Sequence, residues 1–325
     1  MDLRGVTDPA HRVAREIESL QADFPGYVIW SETVRGRVTY VARASGADTN
    51  PQMVMSGSLE RLRARLEEPV VPSDPAKPNV ARVYDCLLGG STNFAADRDE
   101  AARLLAADPR IGDLARENRA FLARAVAYVA GHGVSQFVDI GAGLPTRPST
   151  HETARSVSPG ARVAYVDHDP VAVSHARFML ARDPGVVAVP GDLREPEAIL
   201  AAPALNGLIN LADPVGVLLV AVLHFLAPAA AAQVTASLMA AMAPGSYLVL
   251  SVGQAGTGEV SSIHRAYTAA RLHHHTRADV EGYFHGLDLV PPGVTDVGTW
   301  GQPATAGGPA RAGQATVLAG VARKP

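Results

Sequence analysis

FVDIGAGLP, residues 137–145, is the stretch that decides the fold of this 325-residue chain. An apolar run ends at Asp139, and two glycines, Gly141 and Gly143, follow one residue apart, with Leu144 after them. This pattern predicts a buried strand that turns sharply into a loop before a helix. Glycine at such a turn lets the backbone bend and lets a ligand approach it closely.

Two classes of ligand use a turn of this kind. A dinucleotide site has the pattern G-x-G-x-x-G with phosphate at the helix N-terminus, whereas here Thr146 stands at the third glycine position, after Pro145. The charge of Asp139 would repel a pyrophosphate, but it suits a ligand with a cationic end. S-adenosylmethionine carries an ammonium and a sulfonium, so this cofactor is favoured. A nucleotide site and a purely structural turn are the two remaining interpretations.

Composition limits the class of protein. The chain is 47% hydrophobic and 19% charged, so it can bury a sizeable core. Its net charge of −3 shows no basic surplus, and we expect neither nucleic acid nor a membrane as a partner. Cys86 is the single cysteine, which rules out an intrachain disulfide and fits a reducing compartment. Without a signal-peptide core or an apolar run of spanning length, we expect a cytoplasmic protein.

The chain is predicted to form two domains. Residues 1–68 have the pattern of a small α+β module, and residues 69–79 contain four prolines, which favour an extended, semi-rigid linker. Residues 80–325 form the second domain.

The small module is predicted as helix, hairpin and helix. The β-rich segments 27–31 and 37–43 flank Gly36 and form the hairpin, and the second helix follows Ser58. We expect Trp30 to fill the core of this module. It carries no cluster of chemically useful residues, and a protein partner for it is left open.

Strands and helices alternate from residue 136 onward, which is typical of a parallel sheet covered on both faces. Helical segments precede this alternation. Five strands are expected near 136–141, 162–167, 186–190, 214–223 and 246–252. Two late strands, near 287–290 and 315–322, complete a seven-stranded sheet.

Acidic residues follow successive strands, at the edge where such sheets bind ligands. Asp167, with His168 beside it, lies at about the distance from Gly141 that is expected of an acid holding two ribose hydroxyls. Asp192, followed by Leu193, could accept from the exocyclic amine of adenine. Each acid taken alone could be a helix cap, but their recurrence at the correct strand ends favours a cofactor site.

The segment Leu88–Phe94 is predicted as a lid over the methionine end of the cofactor. It combines Gly89 and Gly90, which can absorb a backbone change, with the amide of Asn93, which can pair with a ligand amino or carboxylate group. The alternative interpretation is a static turn between two helices.

The run His273-His274-His275 suggests a metal, but adjacent residues on a helix point in different directions. No cysteine or close acid completes a ligand set. We therefore expect no metal site.

Several stretches together resemble one family. They are ARVYDCLLGG (81–90), NFAADR (93–98), ENRAFLARAV (117–126), QFVDIGAGLPT (136–146), His151-Glu152, ARVAYVDHDPVAVSHAR (161–177), PVGVLLVAVLHF (214–225), APGSYLVLS (243–251) and VLAGVARK (317–324). From about residue 75 to 325 the chain resembles the actinobacterial S-adenosylmethionine-dependent methyltransferase family formerly classed as a domain of unknown function. The resemblance implies a class I methyltransferase-like (Rossmann-like) α/β fold with a helical N-terminal extension. It also implies the cofactor, and it names no substrate.

The chain departs from the family pattern at three places. Ser91-Thr92 stands where the family has Lys-Asp, Thr150 stands where it has Asn, and Asp167-His168-Asp169 replaces Asp-Asn-Asp. These changes leave the cofactor residues in place and affect the expected substrate contacts.

The predicted activity is methyl transfer from S-adenosylmethionine to a small-molecule acceptor. Much of the catalysis of such an in-line displacement can come from positioning, and a base is needed only if the acceptor must lose a proton. His224, after the fourth strand of the sheet, is the candidate base; a pocket-shaping or a structural role remains open for it. The alternative functions are a non-catalytic S-adenosylmethionine-binding sensor or scaffold and, third, a nicotinamide enzyme.

Overall fold

The computed structural model of the protein describes residues 9–34, 37–45, 53–67, 74–181, 183–254, 263, 266–302 and 316–325. The chain divides into two compact units, residues 1–73 and 74–325. The division falls inside the predicted linker, whose first part, up to residue 73, lies outside the described residues. The last part belongs to the second unit, because the carbonyl oxygens of Asp74 and Lys77 accept hydrogen bonds from Arg82.

The first unit is a three-stranded sheet with two helices. Its elements are α1 (Pro9–Asp23), β1 (Tyr27–Val34), β2 (Arg37–Ala44), β3 (Met53–Ser56) and α2 (Leu59–Glu67). Strands β1 and β2 pair antiparallel, as the hairpin prediction requires, although the predicted turn residue Gly36 lies outside the described residues. Strand β3 pairs with β2 and was not predicted, because four residues are too short to show a clear alternation.

The core of the first unit does not contain Trp30. Its buried members include Leu20, Tyr27 and Ile29. Successive side chains of a strand point to opposite faces, so Trp30 lies on the other face of β1, opposite Val41 of β2. The prediction that Trp30 fills this core is therefore wrong. The odd-numbered residues Tyr27 and Ile29 of β1 face the core, and Trp30 faces away from it.

The second unit begins with three helices and continues as alternating strands and helices. The helices are α3 (Val80–Leu87), α4 (Ala95–Ala107), α5 (Ile111–Gly131), α6 (Thr150–Val157), α7 (Pro170–Leu180), α8 (Pro196–Ala201), α9 (Pro203–Asn206), α10 (Pro228–Ala241) and α11 (Arg277–Gly282). The strands are β4 (Gln136–Ile140), β5 (Arg162–Asp167), β6 (Val186–Pro190), β7 (Gly216–Val220), β8 (Tyr247–Gln254), β9 (Asp288–Leu289), β10 (Thr295–Asp296) and β11 (Thr316–Arg323). A 3₁₀ turn, Leu223–Phe225, follows β7.

The strands form one sheet in the order β10-β11-β8-β7-β4-β5-β6, with β9 also paired to β11. Strands β8, β7, β4, β5 and β6 are parallel, and β11 is antiparallel to β8. All seven predicted strands are present, and the two-residue β10 is additional. Every residue of β4 is buried, because apolar clusters cover both faces of the sheet.

The strand order reverses direction at β4. The chain runs from β4 to β5 and β6 on one side, and then continues with β7 and β8 on the other. In open parallel sheets, ligands bind at this reversal, outside the carboxyl ends of the strands. The fold therefore places a ligand crevice where β4 and β7 end.

Candidate functional site

A cavity of about 650 Å³ opens at the carboxyl ends of β4 to β8. This volume lies within the usual range for small-molecule sites. Its walls are the loops after these strands, parts of α3 and α5, and the segment 269–273. The described residues that line it belong to the second unit.

The loop after β4 requires its two glycines. Gly141 and Gly143 adopt φ angles of 71° and 64°, in the left-handed region that favours glycine. A Cβ atom on Gly141 would also lie 2.2 Å from Cγ1 of Val222, in the segment after β7. The amide of Gly143 donates to Oδ2 of Asp167 at 2.7 Å, which ties this loop to the end of β5.

Asp139 is a buried carboxyl group in the cavity wall. Burial raises its pKa, against the effects of a hydrogen bond from Thr150 and of the charge of Arg119. Thr150 Oγ1 donates to Asp139 Oδ2 at 2.6 Å. The threonine that departs from the family pattern thus holds the acid of the glycine loop.

Asp167 and His168 lie together at the end of β5. Besides the bond from Gly143, Asp167 accepts the amide of Asp169 at 2.9 Å on Oδ1, so each carboxylate oxygen keeps a lone pair for a ribose hydroxyl. His168 Nδ1 is 3.5 Å from Asp167 Oδ1, and this contact raises the pKa of the largely exposed imidazole.

Asp192 lines the cavity as part of an ion pair, with Leu193 next to it. Arg194 Nε lies 2.9 Å from Asp192 Oδ1, and this guanidinium lowers the pKa of the carboxyl group. Fewer of its lone pairs are therefore free for adenine than the sequence led us to expect.

Arg119 is a cavity residue to which the sequence assigned no role. Its Nη2 donates to the carbonyl oxygens of Thr146, at 3.3 Å, and Pro148, at 3.1 Å. Within the described part of the chain, no carboxylate forms an ion pair with it. The only signal in the sequence was its place in the family stretch ENRAFLARAV.

Asn93 is not among the residues that line the cavity. Its Nδ2 donates to Oδ2 of Asp85 at 2.9 Å and to the carbonyl of Gly90 at 2.9 Å. Asp85 itself lines the cavity and also accepts the amide of Thr92. The structure therefore does not bring the predicted ligand contact of Asn93 to the site; the role of the loop as a lid stays a prediction.

His224 lines the cavity on the β7 side. Burial, with a smaller contribution from the nearby His275, lowers its pKa to about 4. Its Nδ1 faces the amide of Gly253 at 3.4 Å and accepts from it, which assigns the ring proton to Nε2. Its catalytic role stays a prediction.

A buried polar chain supports the end of β7. The amide of Ala221, whose φ angle is 58°, donates to Ser251 Oγ at 2.9 Å. Ser251 Oγ donates to Asn118 Oδ1 at 2.6 Å, and Asn118 Nδ2 donates to the hydroxyl of Tyr84 at 2.9 Å. These contacts connect β7, β8, α5 and α3 around the cavity, and they were not predicted.

The described residues contain no group of three or more His, Cys, Asp or Glu side chains that could hold a metal ion. Of the histidine run, His275 is buried, with Nδ1 2.5 Å from the hydroxyl of Tyr283 and Nε2 donating to the carbonyl of Leu226. None of the described helices combines the length and the apolar character needed to cross a membrane.

Comparisons with known proteins agree with this geometry. A crystal structure of a candidate methyltransferase from Thermobifida fusca YX is 38% identical, with a TM-score of 0.72, over 77% of this chain and 96% of that one. A DUF574 family protein from Streptomyces avermitilis is 35% identical, with a TM-score of 0.73, over 78% of this chain and 99% of that one. A search of curated proteins finds no match.

A parallel-dominated sheet with a glycine loop and acids at successive strand ends defines the class I S-adenosylmethionine-dependent methyltransferases. The chain belongs to the S-adenosyl methyltransferase family whose sequence profile matches residues 68–325. It is therefore an enzyme that uses S-adenosylmethionine for methyl transfer, and its methyl acceptor is not identified.

Proposed function

We propose that the protein transfers a methyl group from S-adenosylmethionine to a small-molecule acceptor, and that both molecules bind in the cavity described above. One observation carries this proposal. The same cavity touches the glycine loop and acids of β4, β5 and β6 and also extends past the ends of β7 and β8. A small acceptor would thus share one crevice with the cofactor.

The side chains of the cofactor half fit the groups of S-adenosylmethionine. Asp139 is a buried acid whose ionised form gains from a nearby cation, such as the ammonium. Arg119 is a cation suited to the carboxylate, since arginine binds carboxylates well. Asp167 keeps lone pairs for the ribose hydroxyls, and Asp192 with Leu193 borders the adenine position. Gly141 and Gly143 permit close approach of the methionine end.

The cofactor supplies a methyl group that is already activated by the sulfonium. The chain therefore has to hold the two molecules in line and keep water away. The series of hydrogen bonds that links Ala221, Ser251, Asn118 and Tyr84 fixes the end of β7 relative to α3 and α5. His224 lies just beyond this end of β7. These residues would keep the acceptor side of the cavity in a constant shape.

We also propose a cytoplasmic location, an actinobacterial source, and no nucleic-acid or membrane partner. The single cysteine and the net charge of −3 support the location and the absence of such partners. The resemblance to an actinobacterial family supports the source. A protein partner of residues 1–68 is an additional proposal that rests only on the separateness of that module.

Calorimetric titration of the full chain tests the cofactor site. We expect S-adenosylmethionine and S-adenosylhomocysteine to bind and NAD not to bind. Asp167→Ala removes the acceptor of two ribose hydroxyls, so we expect a loss on the order of 1.5–3 kcal/mol, or roughly ten- to a hundredfold in Kd.

Asp213→Ala is the matched control, because Asp213 precedes β7 and therefore lies at the opposite end of the sheet, bonded to Asn210. Its affinity should equal that of the wild type. If Asp167→Ala folds normally and binds as tightly as this control, the assignment of the β5 end to the ribose is wrong.

A further inference from the structure

The part of the cavity beyond β7 and β8 differs in chemistry from the part at the cofactor strands. We name it the acceptor half and define it by His224, Phe225, Gln254, Ile263 and Tyr267. Since β7 and β8 lie on the side of β4 away from β5 and β6, this half lies away from the predicted ribose and adenine positions. It is the space left for the methyl acceptor.

An aromatic surface forms one wall of the acceptor half. The rings of Phe225 and Tyr267 stack, with centroids 6.2 Å apart and planes inclined by 25°. Tyr267 and Ile263 pack in turn against an apolar cluster that contains Leu104 of α4 and Val83 of α3. An aromatic lining of this kind suits a planar ring in the ligand.

Within the described residues, the acceptor half offers no carboxylate base. Among the described residues that line the cavity, the carboxylates lie near the carboxyl ends of β4, β5 and β6 or belong to α3, and each already accepts a hydrogen bond; they are Asp85, Asp139, Asp167, Asp169 and Asp192. The charged residue that reaches the acceptor side is the exposed Arg271. A cationic ligand would therefore find no counter-ion there in the described part of the chain.

In this arrangement His224 is poorly suited to accept a proton. Its Nδ1 is occupied by the amide of Gly253, so the ring presents an N–H toward any further partner. Its lowered pKa, with His273 and His275 nearby, makes the ring a weak base. Tyr267 remains a neutral phenol, because burial, aided by the charge of Glu100, raises its pKa.

Building on the proposed function, we propose that the methyl acceptor is an uncharged aromatic amine whose ring lies against Phe225 and Tyr267 and whose nitrogen receives the methyl group. An aromatic amine is neutral near pH 7 and presents a lone pair without help from a base. A phenol would first have to lose a proton. An aliphatic amine would enter as an ammonium ion, next to the sulfonium and on the side of Arg271.

The transfer step is balanced without any further reactant. The nitrogen lone pair forms the new N–C bond while the C–S bond breaks in line, and the electron pair of that bond remains on sulfur in S-adenosylhomocysteine. The positive charge passes from sulfur to nitrogen. The methylated ammonium then releases one proton to water.

The first experiment measures binding of planar probes to the full chain saturated with S-adenosylhomocysteine. We expect saturable calorimetric binding of 1-naphthylamine and none of cyclohexylamine. Phe225→Ala, and the milder Phe225→Leu if the first variant folds poorly, should weaken 1-naphthylamine binding at least tenfold. Phe178→Ala is the control, because this ring on α7 is 52% exposed and does not line the cavity; it should leave the affinity unchanged.

The second experiment follows labelled methyl groups from S-adenosylmethionine to 1-naphthylamine and to its oxygen isostere 1-naphthol. We expect label on the nitrogen and at least tenfold less on the oxygen. The proposal is overturned if neither ring binds, if Phe225→Ala has no effect, or if label reaches the oxygen as well as or instead of the nitrogen. Binding of the amine without transfer of label also overturns it. Failure of S-adenosylhomocysteine to bind would instead refute the proposed function.

Discussion

Asp139 is a carboxyl group that the fold keeps buried, and its ionisation therefore costs stability. Its pKa is raised by burial, so the folded protein binds more protons than the unfolded chain as the pH rises above about 4. The contribution of this group to the free energy of unfolding therefore falls as the pH rises from the unfolded-state pKa to the raised folded-state pKa. Above the folded-state pKa the full loss of stability remains.

We predict that Asp139→Asn stabilises the cofactor-free protein at pH 8 and has little effect near pH 3. Asparagine can still accept the Thr150 hydroxyl, but it carries no charge. The variant should bind S-adenosylmethionine roughly tenfold more weakly or worse, because a charge-assisted contact is lost. Urea denaturation at the two pH values and calorimetry check this. A variant that is less stable than the wild type at pH 8 would contradict it.

Ala221 carries local backbone strain at the end of β7. A φ angle of 58° is unusual for a residue with a Cβ atom and costs about 1–2 kcal/mol. We predict that Ala221→Gly changes stability by less than about 1 kcal/mol, because relief of strain is offset by added freedom of the unfolded chain. Ala221→Val should lose more than about 1 kcal/mol, since a β-branched residue fits this region poorly. Equal urea midpoints for the two variants would show that the position is unstrained.

At the scale of elements, α3 and α4 are joined at Asp97. This buried carboxylate accepts the amide of Asn79 at 2.9 Å, Arg82 Nε at 2.7 Å and the amide of Phe94 at 2.8 Å. It therefore holds the start of α3 and the end of the loop before α4. Arg82 lies almost fully buried beside it, with 5% of its side chain exposed.

We predict that Asp97→Asn destabilises the protein by roughly 3–5 kcal/mol, because it leaves the Arg82 charge buried without its carboxylate. Asp99→Asn, on the same helix but without a place in this cluster, is the control and should change stability by less than about 0.5 kcal/mol. The measurement is urea denaturation followed by circular dichroism. Similar urea midpoints for both variants would show that Asp97 does not have this structural role.

The loop Leu88–Phe94 is held by hydrogen bonds to Asp85. A Cβ atom on Gly90 would lie 2.0 Å from Oδ1 of Asp85, so a larger residue there would displace this carboxylate. We predict that amides 88–94 gain protection from hydrogen exchange when S-adenosylhomocysteine binds, because Asp85 both lines the cavity and bonds the loop. Asn93→Ala should reduce that gain. Equal exchange with and without ligand, together with normal affinity of Asn93→Ala, would show that the segment is a static connector.

At the scale of the whole molecule, the chain divides into two compact units, and the family match covers the second. The division lies after Ser73, and the family match begins at residue 68. Among the residues that the structure describes, those lining the cavity all belong to the second unit. We predict that a chain beginning at Asp74 folds and binds S-adenosylmethionine within about twofold of the full chain. Insolubility, or loss of binding that the full chain retains, would show that residues 1–73 support the site.

The amino-acid sequence alone determined the class of fold, the cofactor and the strand ends that meet at the site. It could do so because the carboxyl ends of parallel strands lie at one edge of the sheet. Asp139, Asp167 and Asp192 come at the ends of successive strands, so they could be assigned to one site. The glycines of the loop were equally readable, because their conformation is a local property of the backbone.

Only the tertiary structure decided which distant side chains complete the cavity. Arg119 on α5, the Ser251–Asn118–Tyr84 chain and the Phe225–Tyr267 wall each depend on how one element packs on another, and no local pattern encodes such contacts. The structure likewise showed that the side-chain amide of Asn93 donates a hydrogen bond to Asp85. Sequence spacing reports periodicity within an element, whereas a side chain's partner is set by packing between elements that are far apart along the chain.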